Sequence, residues 1–126
     1  MKELILIVDD SPTNLKLIKI LLNLEGYDVR TAVNADEVLD TLLVVQPSLI
    51  LMDLQLPGMD GLTLTQEIKA NPKYKNIIIV AVTAYAMKGD KELFLSSGCS
   101  HYLSKPYTKD DLMNLVMSIL QEKYAC

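Results

Sequence analysis

The chain reads as an α/β fold: a parallel sheet with helices on both faces. Three observations predict it. Apolar runs alternate with helical patterns from one end of the sequence to the other. The runs Leu4-Ile5-Leu6-Ile7-Val8, Leu49-Ile50-Leu51-Met52 and residues 77–82 contain no polar side chain, the mark of strands buried on both faces. No linker, repeat or charge block divides the 126 residues, so residues 1–126 are expected to form one domain.

Each element has its own local signals. After the first run, Ser11 and Pro12 read as an N-cap and a first helical residue. Leu15, Ile18 and Leu22 share one face of that helix, and Gly26 closes it. Residues 27–33 alternate polar and apolar, as in a half-exposed strand. Asn34 and Glu37 resemble a capping box, and Val38, Leu39 and Leu42 carry the second helix to Pro47. The run from Leu49 to Met52 is the third strand and stops at Asp53. Pro57-Gly58-Met59-Asp60-Gly61 is a turn cluster, followed by a helix through Leu64 and Ile68 that ends at Asn71-Pro72. The fourth strand, residues 77–82, leads to a weaker helix over 84–97, stopped by Gly98. Tyr102-Leu103 lies in a short last strand. Thr108 with Asp111 caps a final helix whose stripe is Leu112, Leu115, Val116, Ile119 and Leu120.

Composition narrows the function. The chain is 50% hydrophobic and 22% charged, with net charge −4. A domain of this size buries roughly two-thirds of its unfolded surface and needs no metal or disulfide staple. The acidic balance speaks against a nucleic-acid or anionic-membrane partner, which require clustered Lys and Arg. Cys99 and Cys126 fit neither a disulfide framework nor a zinc pattern, so free thiols in a reducing compartment are expected. No apolar run approaches the ~18 residues of a membrane span, and residues 4–8 are too short for a signal sequence. The expectation is a soluble, cytoplasmic protein.

In a sheet of this kind ligands bind beyond the carboxyl ends of the strands. Asp9 and Asp10 follow the first strand, Asp53 the third, Thr83 the fourth, and Lys105 the fifth. If these ends converge, three carboxylates meet one ammonium, a local charge of about −2. Two like charges about 4 Å apart repel by roughly 4 kcal/mol at an effective dielectric of about 20. A hard divalent cation relieves this, and Mg²⁺ takes carboxylates, waters and a phosphate oxygen. Acids, a hydroxyl and an ammonium together suit phosphoryl transfer. Asp53 is the best-placed nucleophile, the adjacent Asp9 and Asp10 a metal pair, and Thr83 and Lys105 partners for phosphoryl oxygens.

These residues carry a resemblance. Leu6-Ile7-Val8-Asp9-Asp10, Leu51-Met52-Asp53-Leu54-Gln55-Leu56-Pro57-Gly58-Met59-Asp60-Gly61, Val82-Thr83-Ala84 and Tyr102-Leu103-Ser104-Lys105-Pro106 together resemble the receiver domain of two-component response regulators over essentially the whole length. The stretch from Thr83 to Asp90 is similar to single-domain regulators related to a cell-division regulator, and to receivers of hybrid kinases. The resemblance implies a flavodoxin-like, doubly wound sheet of five parallel strands, (βα)5, in the order 2-1-3-4-5. It implies that Asp53 accepts a phosphoryl group from a histidine kinase or histidine phosphotransfer protein. It implies that Mg²⁺ is held by Asp10, Asp53 and the backbone carbonyl of Gln55, with Asp9 acting largely through water. Thr83 and Tyr102 would be the switch, Lys105 would pair with the phosphoryl group, and the Lys105-Pro106 peptide would be cis. The implied activity is that of a signalling domain, not an enzyme: Mg²⁺-dependent self-phosphorylation from phosphodonors and slow autodephosphorylation. Gln55 and Tyr85 occupy positions that tune phosphate lifetime.

Rival readings fit less well. An aspartate-nucleophile phosphatase needs a second acid two residues on, where Asp53-Leu54-Gln55 offers an amide. A flavodoxin needs a phosphate cradle where Asp9 and Asp10 would repel it. An adaptor that is never phosphorylated has no need of the intact set. Ser11, Pro12, Leu15 and Pro106 are the expected kinase contacts. The face made by the fourth helix, fifth strand and fifth helix, with Met87, Lys88, Lys91 and Tyr102, is the expected effector surface. Either a separate protein reads the phosphorylated state or the domain belongs to a longer chain. Cys99 reads as a buried small residue, His101 as a surface strand residue and the six Met as core filler.

Overall fold

The uninterrupted apolar runs pair with one another and become the middle of the sheet. The computed structural model describes residues 3–55, 60–83, 92, 95–105 and 107–124. Its strands are β1 (Leu4–Val8), β2 (Asp28–Ala32), β3 (Leu49–Asp53), β4 (Ile78–Thr83) and β5 (His101–Ser104). All neighbours are parallel, in the order β2-β1-β3-β4-β5. The register aligns Val8 with Met52 and Ala32, Met52 with Ala81, and Thr83 with Ser104. The strands therefore end together, and whatever follows them emerges along one rim.

Helices α1 (Pro12–Leu24), α2 (Ala35–Val44) and α3 (Gly61–Ala70) and the C-terminal helix (Lys109–Tyr124) cover both faces. Side chains alternate along each strand, so the sheet feeds two separate cores. Ile5, Ile7, Leu51 and Val80 pack with Leu15, Ile18 and Leu22 of α1 and Leu112, Val116 and Ile119 of the C-terminal helix. Leu6, Val8, Ile50 and Met52 pack with Val38 and Leu42 of α2 and Leu64 and Ile68 of α3. Each such fully buried side chain contributes about 1.5–3 kcal/mol.

The helix starts are made by local hydrogen bonds. Ser11 Oγ accepts from the Asn14 N–H, with Pro12 in the first turn. Thr108 and Asp111 exchange reciprocal bonds of 3.0 Å, a full capping box. Asn34 Oδ1 accepts from the Glu37 N–H, while Glu37 Oε1 accepts from Val33, one residue earlier than the box prescribes.

Several expectations need correction. The second helix stops at Val44 and not at Pro47, because Val45 is already extended (φ −135, ψ 157). Leu39, expected on its inner face, is 38% exposed. The second strand is trimmed to 28–32. His101 is half-buried, and its Nδ1 is buried without a hydrogen-bond partner among the described residues. Of the six Met, Met52 and Met113 are core, Met117 is exposed, and Met1, Met59 and Met87 lie outside the described residues. Of the helix expected over 84–97, Glu92, Leu95 and Ser96 are described and helical. Residues 84–91, 93 and 94 lie outside the described residues, as do Pro57, Gly58, Pro106 and Cys126. Gly98 has φ +107, the left-handed stop the sequence implied, and Cys99 is buried. No described helix is long and apolar enough to cross a membrane.

Candidate functional site

At the carboxyl rim of the sheet, three acids come together. Asp9, Asp10 and Asp53 each offer a carboxylate oxygen, and these oxygens lie within 4.8 Å of one another. Asp53 is the last residue of β3 and is 3% exposed; Asp9 follows β1 and is 4% exposed; Asp10 is open to solvent. The ladder continues past the strand ends, with Asp9 N–H donating to Ala32 and Lys105 N–H to Thr83 O at 2.7 Å. Backbone bonding thus holds the bases of these side chains.

Lys105 bridges the acids. Its Nζ is 3.2 Å from Asp53 Oδ2 and 3.8 Å from Asp9 Oδ2. Burial pushes the ammonium pKa down, but Asp53 and then Asp9 outweigh it, and Lys105 is held above the ordinary lysine value. Asp9 moves the other way from a usual salt-bridged acid. Burial is the largest influence and raises it, the Ser11 N–H and Lys105 lower it, and the neighbouring Asp53 and Asp10 raise it further, so that the balance lies above the ordinary aspartate value. One ammonium does not balance three carboxylates. Oxygen donors only, partly buried and in excess of positive charge, fit a hard divalent cation.

Asp53 has its second oxygen tied as well, since Oδ1 accepts from the Gln55 N–H at 2.9 Å. Thr83, the last residue of β4, is 3% exposed beside this cluster in the sheet order, and Tyr102 on β5 is 39% exposed. Behind Asp53, the first residue of α3 is Gly61. A Cβ there would stand 2.7 Å from the Asp53 carbonyl oxygen and from Leu54 Cα, so only glycine lets α3 start this close.

Two features escaped the sequence reading. Tyr107 is half-buried, and burial raises its hydroxyl pKa despite the opposing charge of Lys105. Its place directly after the Lys105-Pro106 pair was the available signal. The second concerns α1. Leu15, expected as a docking residue, is 6% exposed and part of the core, whereas Leu17, Ile20 and Leu24 are 56%, 49% and 76% exposed. A groove of about 560 Å³ runs from Asn14, Leu17 and Leu21 on α1 to Lys105 and Tyr107, so it opens beside the acids.

Comparison with known proteins agrees with this geometry. A family model for the response regulator receiver domain matches residues 5–117. The polar-differentiation response regulator DivK of Brucella anthropi is 38% identical over 120 residues, covering 95% of this chain and 98% of that protein. The solved response regulator receiver domain protein (CheY-like) of Methanospirillum hungatei superposes with a TM-score of 0.89 at 31% identity, over 98% of this chain and 97% of that one. The receiver domain of a sensor histidine kinase from Pseudomonas aeruginosa, solved with a magnesium ion coordinated in its active-site cleft, superposes with a TM-score of 0.82 at 32% identity, over 94% of this chain and 97% of that one.

Proposed function

The chain belongs to the family of response regulator receiver domains, and on that premise we propose that it is a phosphoacceptor switch which takes its phosphoryl group on Asp53. The observation that carries the proposal is the gathering of Asp9, Asp10 and Asp53 within 4.8 Å, with Lys105 at 3.2 Å from the Asp53 carboxylate. Asp10, Asp53 and the Gln55 carbonyl would hold Mg²⁺, with Asp9 behind them. The bound ion supplies positive charge against the phosphoryl oxygens.

The chain's own residues do the rest. An Asp53 carboxylate oxygen forms the new bond to phosphorus as the P–N bond of a donor phosphohistidine breaks, the electron pair leaving with the imidazole. Lys105, already charged and in place, moves its ammonium from Asp53 to a phosphoryl oxygen. The Thr83 hydroxyl donates to a second. Tyr102, now exposed, turns into the space that Thr83 vacates, and the neighbouring face reports the change to an effector protein. The donor, a histidine kinase or phosphotransfer protein, would dock in the groove between α1 and Tyr107.

The test is labelling with a small phosphodonor, with and without Mg²⁺. One acid-labile phosphoryl group that depends on Mg²⁺ and vanishes in Asp53→Asn is the expected result. An acid-stable label, or one that survives the substitution, would assign the chemistry elsewhere. The adaptor and phosphatase alternatives predict no label and turnover of a phosphomonoester, respectively.

A further inference from the structure

Among the described residues, β2 forms an edge of the sheet and pairs with β1. Asp28 N–H donates to Glu3 O, and Ala32 O accepts from Asp9 N–H. In a parallel ladder this turns the backbone groups of Asp28, Arg30 and Ala32 toward β1 and those of Val29 and Thr31 outward. A groove of about 490 Å³ lies at the amino end of this edge, bounded by Leu4 of β1, by Asn23 of α1, by Asp28, Val29 and Arg30, and by Val45 just past α2.

The two helices beside this groove carry opposite charge. Helix α1 has Lys16 and Lys19 and no acid; α2 has Asp36, Glu37 and Asp40 and no base. Asn23 identifies the side of α1 that borders the edge, and helical spacing places Lys16, Lys19 and Ile20 on that side. On α2 the buried residues Ala35, Val38 and Leu42 mark the inner face, and the right-handed crossover from β2 to β3 turns Glu37, Thr41 and Val44 to the edge side, with Asp40 beside them. These lysines and acids are exposed, and so are Ile20, Leu24 and Val44, the last two at 76% and 77%.

We propose that this edge is a self-association surface, occupied by a second copy of the chain about a two-fold axis parallel to the strands. Such an axis lays α1 of each copy along α2 of the other, so one patch with a positive and a negative border complements itself. The helices start from the same rim of the sheet. Lys16 and Lys19 are the fifth and eighth residues of α1, Glu37 and Asp40 the third and sixth of α2. At ~1.5 Å per residue, each lysine comes within about 3 Å in height of an acid. Leu24 then meets Val44 at the far end, and the groove between is filled. The other symmetric arrangement, antiparallel pairing of β2 with β2, would set α1 against α1 and α2 against α2, so the lysines would face a helix without acids and the acids a helix without bases. Charge therefore selects the first arrangement. The surface leaves the groove beside Lys105 open, so association is independent of phosphorylation.

Sedimentation velocity over a concentration series is the test. The wild type is expected to dimerise reversibly, more weakly as salt rises. Lys19→Glu and Asp40→Lys, both at exposed positions, are each expected to raise the dimer dissociation constant at least about tenfold, with circular dichroism unchanged. The double variant restores the complement and is expected to recover the dimer. A monomer at every concentration in low salt overturns the proposal, as do single variants that dimerise like wild type. Singles that lose the dimer and a double that fails to regain it overturn the two-fold arrangement. Each of these outcomes is separate from labelling of Asp53, which none of the substitutions touches.

Discussion

Asp9 stabilises one part of its surroundings and strains another. Its Oδ1 accepts from the Ser11 N–H at 2.9 Å and so orders the entry to α1, while its charge sits buried against two other carboxylates. Because its folded pKa is raised, the folded state binds a proton more readily than the unfolded chain. Stability from this group is therefore highest below the unfolded value of 3.8 and is lost as pH rises through the raised folded value. Asp9→Asn keeps the acceptor and removes the charge. In metal-free buffer at pH 7 it should be more stable than wild type. The gain should shrink as pH falls through the raised value, and denaturant melts across pH measure it. A gain that stayed constant with pH would place the effect outside the Asp9 charge. The position of Asp9, Asp10, Asp53 and Lys105 at one rim was legible because each lies within two residues of the end of an apolar stretch, and a parallel sheet sends all such positions to one rim. The partial burial of Tyr107 was not, because it depends on packing against the core between α1 and the C-terminal helix and leaves no mark in periodicity.

Helix α1 carries apolar residues on two faces, and only the structure tells them apart. Leu15, Ile18 and Leu22 are the inner stripe, legible at once from their spacing. Leu17, Ile20 and Leu24 make an outer stripe that the same Leu- and Ile-rich sequence hides. By sequence Leu15 suits both core and contact, and at 6% exposure it can serve only the core. Two substitutions separate the faces. Leu15→Ala should cost about 2–5 kcal/mol of stability. Leu17→Glu should leave stability within about 0.5 kcal/mol and slow phosphotransfer from a kinase, while labelling by a small donor is unchanged. Equal loss with both donors would mean that the groove is not a docking surface. Helix α3 gives a further case. Gly61→Ala would drive a methyl group into the Asp53–Leu54 peptide, 2.7 Å away, and should cost stability and weaken Mg²⁺ binding together. An unchanged affinity, read by titration, would show that the loop re-forms around the methyl. At this scale helix ends set by side-chain caps were legible, but the stop of α2 at Val44 was not. No glycine or proline stands there, and the extended turn at Val45 is imposed by the return to β3.

For the whole molecule, the strand order is the piece that no local pattern contains. Alternation of strands and helices implied a parallel sheet, but the order β2-β1-β3-β4-β5 came only through the family resemblance, because periodicity is silent about which strands are neighbours. That order places β1 and β3 side by side at the reversal, and so brings Asp9, Asp10 and Asp53 together. The domain thus folds against a cluster of like charges that Lys105 relieves only in part. On the proposed assignment Mg²⁺ would bind the folded state and not the unfolded chain, and at about 100 times its dissociation constant it should add about 2.7 kcal/mol. For a domain of this length each 1 kcal/mol raises the melting temperature by about 4 °C, so a rise near ~10 °C is expected. Asp53→Asn, nearly isosteric and less crowded in charge, should start from a higher metal-free melting temperature and gain less from Mg²⁺. Asp10→Ala should lose most of the shift. Scanning calorimetry of the three proteins with and without Mg²⁺ decides. Should both variants keep the full wild-type shift, the cation binds away from the carboxylates and the repulsion at the rim is relieved by Lys105 alone.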